Sequence, residues 1–303
     1  MTQANKLITA SMMAALVTAG LLSFVGAQAV APAKDVRIGI AKTFFTDQPK
    51  SVAEVAVSDF DLVLKKTTGL QGRLNNKLSA FEVAAKLDAK ELDFGIFFAH
   101  EFGWVQKKHP ELQPLLIAVN KGFVERAYLI VHKNNPGKTV ADLAGKKIDV
   151  PVGTIEPCRL FLGKICIEQA QKTPEALFGS IEKSSAQMGA LDNVARQQVH
   201  ATVVDAGFLE LYKDVKPAVY EKNLRVLQES VVFPSPVIAY KKGGVADSVL
   251  NSFRDGLLKA HTIPEGRDMM RGWKIDVFEA TPKDYAKSVA DLLKVFPAPD
   301  SPR

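Results

Sequence analysis

The residues whose types and spacing could bind a ligand most directly form a predicted strand–turn–helix junction at residues 148–157. Gly153 permits a tight turn, Thr154 is suited to cap a helix, and Pro157 fits the first helical turn. The free N–H groups and the positive dipole end of such a helix attract an anion. Glu156 would stand in the same turn and already complement the dipole. The junction by itself leaves open whether it binds a ligand or is purely structural.

The sequence lacks the patterns of common catalytic and cofactor sites. It contains no G-x-S-x-G elbow, no P-loop and no G-x-G-x-x-G fingerprint, and its five histidines form no metal-binding pair. Cys158 and Cys166 fall on one predicted helix about 12 Å apart, too far for a disulfide, and are expected in the core. We therefore predict no catalytic residue, no metal and no cofactor, and favour a binding protein over an enzyme.

Length and charge limit the class of protein. The chain has 303 residues, 47% of them hydrophobic and 24% charged, as is typical of a folded globular protein. The net charge of +6 comes from scattered lysines and arginines without a basic, aromatic-rich stripe. The composition mildly favours an anionic ligand or an anionic membrane surface and gives no indication of nucleic-acid binding.

The N-terminal residues have the features of a secretion signal. Lys6 precedes the largely apolar stretch Leu7–Val25, and Ala27-Gln28-Ala29 fits a cleavage site. We predict a signal peptide at residues 1–29 and a mature chain that starts near Val30. The mature chain is expected in the periplasm, not inserted in the membrane. A retained membrane anchor is the alternative interpretation.

Hydrophobic periodicity after the signal predicts alternating strands and helices. The predicted strands cover residues 36–40, 71–75, 92–98, 115–120, 126–132, 148–152, 176–181, 199–204, 226–232 and 236–240. The predicted helices cover residues 51–66 and 80–89, start near residues 99, 154, 186 and 247, and end with one at residues 283–295. This alternation indicates an α/β fold with mostly parallel sheets.

Several sequence runs resemble one family. The runs are the V-R-I-G-I strand, Glu91–Phe97, Ala141–Ile148 with the pattern A-D-L-x-G-K-K-x, and Ala190–Ala195 followed by a strand ending at Asp205. Together they resemble the type 2 periplasmic solute-binding proteins of ABC transporters, within the phosphate/phosphite/phosphonate-binding (PhnD-like) branch. The resemblance covers about residues 35–262.

The resemblance implies two lobes, each a mostly parallel sheet flanked by helices, with two hinge crossings. Lobe one would comprise residues 30–122 plus 228–303, and lobe two residues 123–227. The crossings would lie near Val119–Lys121 and Ser230–Val232. The ligand would be enclosed in the cleft by hinge motion. The implied partners are a small anionic ligand and an ABC transporter permease, and we expect a monomer.

The resemblance also implies site residues at strand ends and helix starts. Where the family has a Ser/Thr-rich turn, only Thr154 keeps a hydroxyl, and where it has a tyrosine, this sequence has Phe97-Phe98. Asp205 matches an acidic position of the family. The candidate ligand-binding residues are Thr43, Phe44, Phe97, Phe98, His100, Thr154, Glu156, Ser184, Ser185, Gln187 and Asp205.

Each candidate also has a structural interpretation. Phe97 and Phe98 could be core residues, Asp205 could cap the following turn, and Glu156 could only stabilise its helix. The lost hydroxyls and the added carboxylate fit a larger or less charged ligand than the family's phosphonates.

We therefore predict a solute-binding protein of an ABC importer for a small oxyanion such as phosphate, phosphite or phosphonate. One alternative is a sensory protein of the same fold that binds another small organic ligand and signals to a receptor kinase. A second is an enzyme built on this scaffold, because a fold does not fix a function.

Overall fold

The computed structural model describes residues 35–299, and the predicted signal peptide lies outside the described residues. The strands are β1 (Asp35–Ile40), β2 (Gln71–Asn75), β3 (Phe94–Phe97), β4 (Leu112–Val119), β5 (Ala127–His132), β6 (Lys147–Asp149), β7 (Ser180–Glu182), β8 (Ala201–Asp205), β9 (Leu224–Glu229), β10 (Val237–Lys241) and β11 (Val277–Ala280). The α-helices are α1 (Lys50–Thr68), α2 (Ala80–Asp88), α3 (Ala99–Gln106), α4 (Glu156–Ala170), α5 (Pro174–Leu177), α6 (Gln187–Ala195), α7 (Ala206–Val215), α8 (Pro217–Asn223), α9 (Asp247–Leu258), α10 (Pro264–Trp273) and α11 (Tyr285–Val295). Short 3₁₀ helices cover Lys42–Phe45, Val140–Leu143 and Ala260–Thr262.

The strands form two sheets flanked by helices, which confirms the predicted α/β, two-lobed fold class. The first sheet has the order β11-β4-β10-β3-β1-β2, and the second has the order β7-β6-β8-β5-β9. The chain leaves the first sheet after β4 and returns to it with β10. The division into lobes at residues 122/123 and 227/228 stays a proposal.

Both sheets are mixed, which refines the expectation of mostly parallel sheets. Strand β1 runs parallel to β2 and β3, and β6 runs parallel to β7 and β8. The other five described pairings are antiparallel. Four of these pairs arise because β10 lies between β3 and β4 in the first sheet and β5 lies between β8 and β9 in the second, and the fifth joins β11 to β4.

Local signals explain the elements that the sequence predicts well. The Ser79 side chain accepts a hydrogen bond from the Glu82 N–H at 3.3 Å, and Glu82 accepts one from the Ser79 N–H at 2.7 Å. This capping box starts α2. Helix α1 ends at Gly69, whose φ of 71° suits a residue without a Cβ.

Two local predictions are wrong in detail. Residues 176–181 do not form one strand, because Pro174–Leu177 is a short helix capped by Thr173, and only Ser180–Glu182 is extended. The predicted strand at residues 148–152 ends at Asp149. Pro151 lacks the N–H group that would continue the ladder.

The core follows the two sheets. The rings of Phe94 and Phe253 stack at 3.8 Å between the first sheet and α9. Cys158 and Cys166 are both buried in α4 as free thiols, as the sequence predicts. Within residues 35–299, no helix is both long and apolar enough to cross a bilayer.

Candidate functional site

A cavity of about 440 Å³ is lined by segments that belong to both sheets. The first-sheet side contributes the 3₁₀ helix Lys42–Phe45, the start of α3 and the end of α10. The second-sheet side contributes residues 153–155 before α4 and the end of β8. Cavities of this size are typical of small-molecule sites.

Aromatic rings form one wall of the cavity. Phe44 stacks on Phe98 with ring centroids 4.0 Å apart and an interplanar angle of 8°. Trp273, at the end of α10, lies 6.2 Å from Phe44. Phe123 and Phe233 also line the cavity. Flat rings of this kind offer a stacking surface to an apolar or cyclic ligand.

Glu101 holds the two segments that carry the stacked pair. Its Oε1 accepts a hydrogen bond from the Thr43 hydroxyl at 2.7 Å, and its Oε2 accepts one from the Phe98 N–H at 3.1 Å. Burial raises the pKa of Glu101 to about 7, although both hydrogen bonds lower it; the nearby Glu156 carboxylate adds to the rise. The aromatic wall is therefore anchored by a buried carboxyl group.

Asp205 is a second buried carboxyl group, and it lines the cavity. Its Oδ1 accepts a hydrogen bond from the Phe208 N–H at 3.0 Å, which caps α7. Its Oδ2 accepts hydrogen bonds from Gln187 Nε2 at 3.0 Å and Lys274 Nζ at 3.4 Å. The capping interpretation of Asp205 therefore applies, and the carboxylate also faces the cavity.

Glu125 and Lys274 complete the polar end of the cavity. Burial and the neighbouring Asp205 raise the pKa of Glu125 to about 8, and Lys274 opposes this rise. The Oε1 atom of Glu125 is buried and has no hydrogen-bond partner among residues 35–299. Lys274 Nζ lies 3.7 Å from the ring centroid of Phe208, in a cation–π contact.

Thr154 lines the cavity but does not cap α4. Its hydroxyl donates to the Pro151 carbonyl at 2.7 Å, and Ile155 is the N-cap residue. The predicted capping role is therefore wrong, because the hydroxyl closes the turn that precedes the helix. Pro157 lies in the first turn as predicted.

The structure brings four of the predicted site residues to the cavity and places the others around it. The lining residues among them are Phe44, Phe98, Thr154 and Asp205. Thr43, Glu156 and Gln187 do not line the cavity. Gln187 donates a hydrogen bond to Asp205 in the cavity wall, and Thr43 donates one to Glu101, which also accepts from the Phe98 N–H. Glu156 lies in the first turn of α4.

The remaining predicted residues lie farther back. Phe97 is fully buried with its ring 6.1 Å from Phe102, and the fully buried His100 has its ring 4.8 Å from Trp104. The Ser184 backbone N–H donates to Asp149 at 3.0 Å, and its hydroxyl bonds to the same carboxylate. Ser185 is exposed and does not line the cavity.

Sequence reasoning missed several lining residues. Phe123 and Phe233 follow the two expected crossings closely, so aromatic residues beside a crossing were an available signal. Glu125 stands directly beside Arg126 and gave no such signal. Trp273 and Lys274 had none, because α10 is distant in sequence from every other lining segment. Within the described residues, no group of three or more His, Cys, Asp or Glu side chains could hold a metal ion.

Comparison with known protein families gives a match over most of the chain. Residues 43–285 match the family described as the periplasmic substrate-binding protein of phosphonate ABC transporters. Comparison with curated proteins finds no match.

Solved structures with a similar fold include three relatives of low sequence identity. A binding-protein component of an ABC phosphonate transporter from Pseudomonas aeruginosa is 15% identical with a TM-score of 0.58, covering 86% of this chain and 85% of that one. PhnD1 from Prochlorococcus marinus, in complex with methylphosphonate, is 12% identical with a TM-score of 0.57, covering 87% and 98%. XAC2383 from Xanthomonas citri, bound to ATP, is 12% identical with a TM-score of 0.56, covering 87% and 97%. At this identity the likeness establishes the fold alone.

Proposed function

The chain belongs to the family of periplasmic substrate-binding proteins of phosphonate ABC transporters, and we propose that it captures a small organic solute in the aromatic cavity and delivers it to a permease. The family consists of binding components of transporters and not of enzymes. The proposal includes cleavage of the signal peptide at residue 29 and action as a monomer.

The observation that carries this proposal is the cavity of about 440 Å³ with walls from both sheets. A ligand that touches both sides gains contacts only when the two sides are close together. Such a ligand favours the closed arrangement, in which a permease could distinguish loaded from empty protein. The segments at residues 119–125 and 232–238 run along the cavity and would act as the hinge.

The family description and the sequence-based expectation both suggest a small oxyanion or phosphonate as the ligand. A bare oxyanion has no apolar part to pack against the cavity wall that Phe44, Phe98 and Trp273 form. We therefore propose a ligand with an organic body large enough to stack on these rings.

The experiment is a thermal-shift screen of residues 30–303 against phosphate, phosphite, alkyl- and arylphosphonates, sulfate, carboxylates, amines and amino acids. A ligand at about 100 times its Kd adds about 2.7 kcal/mol to the free energy of unfolding. We expect ring-bearing compounds to raise Tm and the inorganic ions to have no effect. A rise with phosphate or phosphite alone would contradict the organic ligand, and no rise with any compound would contradict solute binding.

A matched pair of variants locates the binding site. Val231 and Val232 are neighbours with similar exposure, 43% and 41%, but only Val232 lines the cavity. We expect Val232→Trp to abolish the Tm shift by filling the cavity, and Val231→Trp to preserve it. Equal shifts in both variants would place the ligand elsewhere.

A further inference from the structure

Three helices begin at the wall of the cavity, and each has a carboxyl group at its N-cap or in its first turn. The N-cap residues Phe98, Ile155 and Asp205 of α3, α4 and α7 all line the cavity. Helix N-termini attract anions through free N–H groups and the dipole. Glu101 and Glu156 stand in the first turns of α3 and α4, and Asp205 is itself a carboxylate. Each of these N-termini thus already has a carboxyl group of the chain near the place where an oxyanion would bind.

The charged side chains that line the cavity add to this effect. Among the described lining residues, Glu125 and Asp205 are acidic and Lys274 is basic. Lys274 Nζ is already 3.4 Å from Asp205 and lies over the Phe208 ring. An anion would have to compete with Asp205 for this ammonium group while facing a second carboxyl group.

Among the described lining residues, Glu125 and Trp273 have a buried polar side-chain atom without a partner, and of the two Glu125 is the acceptor. Its Oε1 atom is buried without a hydrogen-bond partner among the described residues. A buried polar atom without a partner is costly, and a ligand that donates a hydrogen bond there removes the cost. The charged groups that bear on Glu125 are Asp205, which opposes its ionisation, and Lys274, which favours it. A second cation beside Glu125 would favour the ionised form further.

Aromatic rings line the same cavity. Phe44, Phe98 and Trp273 line it with aromatic carbon that an apolar body can pack against, and a cation close to an aromatic ring face is attracted to it. Resting on the function proposed above, we propose that the ligand is an organic cation with an apolar, ring-sized body whose ammonium or amidinium group pairs with Glu125.

Three probes that share a benzyl group test whether the cavity prefers a positively charged ligand. Benzylammonium, benzyl alcohol and benzylphosphonate differ in charge at the same carbon, and calorimetry with residues 30–303 measures the Kd of each. We expect benzylammonium to bind about tenfold more tightly than benzyl alcohol, and benzylphosphonate to bind most weakly. Because Glu125 has a raised pKa of about 8, affinity for benzylammonium should rise between about pH 6 and about pH 8 as Glu125 ionises.

Substitution of the carboxyl group identifies the partner. Glu125→Gln keeps the shape and removes the charge, so benzylammonium should lose about tenfold in affinity and its pH dependence, while benzyl alcohol should be unaffected. The control is Glu229→Gln, because Glu229 pairs with Arg126 at 3.1 Å outside the cavity lining. It should leave all three affinities unchanged.

Other outcomes separate the two proposals. If benzylphosphonate binds as tightly as benzylammonium or more tightly, the cation is wrong and solute binding stands. The same holds if Glu125→Gln leaves the preference intact. If none of the probes binds, the ring-bearing cation is wrong, and solute binding is decided by the wider screen and the Val232→Trp variant.

Discussion

Glu101 shows how a single buried residue connects the core to the cavity. Its two oxygens accept hydrogen bonds from Thr43 and from the Phe98 N–H, so one carboxyl group fixes both segments that carry the stacked rings. Burial disfavours its ionised form and raises its pKa from 4.5 to about 7. The folded protein therefore holds a proton here that the unfolded chain releases at lower pH.

This difference predicts a pH dependence of stability. Between about pH 4.5 and about pH 7 the folded state binds more protons at Glu101 than the unfolded state does, so its contribution to the free energy of unfolding falls as pH rises through this window. Glu101→Gln removes the titration, and we expect its stability to fall less with pH, by up to a few kcal/mol.

Urea unfolding at several pH values between about 5 and about 8 measures this effect. The control is Glu54→Gln, since Glu54 is exposed in α1 and should give a curve parallel to wild type. A Glu101→Gln curve that also runs parallel to wild type would show that Glu101 does not titrate in this range.

At the scale of elements, the sequence predicts what local chemistry decides. The capping box at Ser79 and the left-handed residue Gly69 depend only on neighbouring residues, and they bound two helices that the sequence predicts. The sequence predicts Thr154 as the cap of α4, but the Thr154 hydroxyl bonds to the Pro151 carbonyl, and the helix starts one residue later, after Ile155. Helix α10 was missed because two glycines lower its intrinsic helix propensity.

The same difference between local and distant contacts explains which residues of the candidate site the sequence predicts. Phe98 and Asp205 were found because they end predicted strands, where ligands of open sheets bind. Trp273 and Lys274 reach the cavity only because α10 packs against α1, a contact between distant parts of the chain. Glu125 became a candidate only once its burial was known.

Helix α10 provides a test of how tightly this packing is fixed. A Cβ atom added at Gly266 would stand 1.8 Å from the Ala260 carbonyl oxygen, whereas one added at Gly272 would meet no atom within 4 Å. We expect Gly266→Ala to lower the free energy of unfolding by about 2 kcal/mol or more, because backbone must move. Gly272→Ala should be neutral or stabilise by up to about 1 kcal/mol.

Chemical unfolding of the two alanine variants provides the measurement. Tryptophan fluorescence reports on the same region, since Trp273 ends α10. A shifted emission in folded Gly266→Ala would show that the aromatic wall has moved. Equal stabilities of the two variants would contradict the close approach at Gly266.

At the scale of the whole molecule, an ion-pair cluster joins the two sides of the cavity. Asp47, which lies between β1 and α1, approaches Arg159 of α4 at 3.0 Å and Lys183 after β7 at 3.1 Å. Arg159 Nε also donates to the Thr154 carbonyl in the cavity wall at 3.1 Å. The cluster thus connects residues of the first-sheet side to the second-sheet side, next to the proposed ligand.

We expect this cluster to favour the closed arrangement by about 1 kcal/mol or less, because the side chains are partly exposed and screened by solvent. Asp47→Asn should increase the radius of gyration of the ligand-free protein in small-angle X-ray scattering at low salt. Wild type should approach the same value as salt weakens the ion pairs, and the variant should respond little. Asp268→Asn is the control, because Asp268 pairs with Arg271 within α10 and joins no separate segments. If Asp47→Asn and wild type have the same radius at every salt concentration, the cluster does not hold the two sides together, and closure must depend on the ligand and the two hinge segments alone.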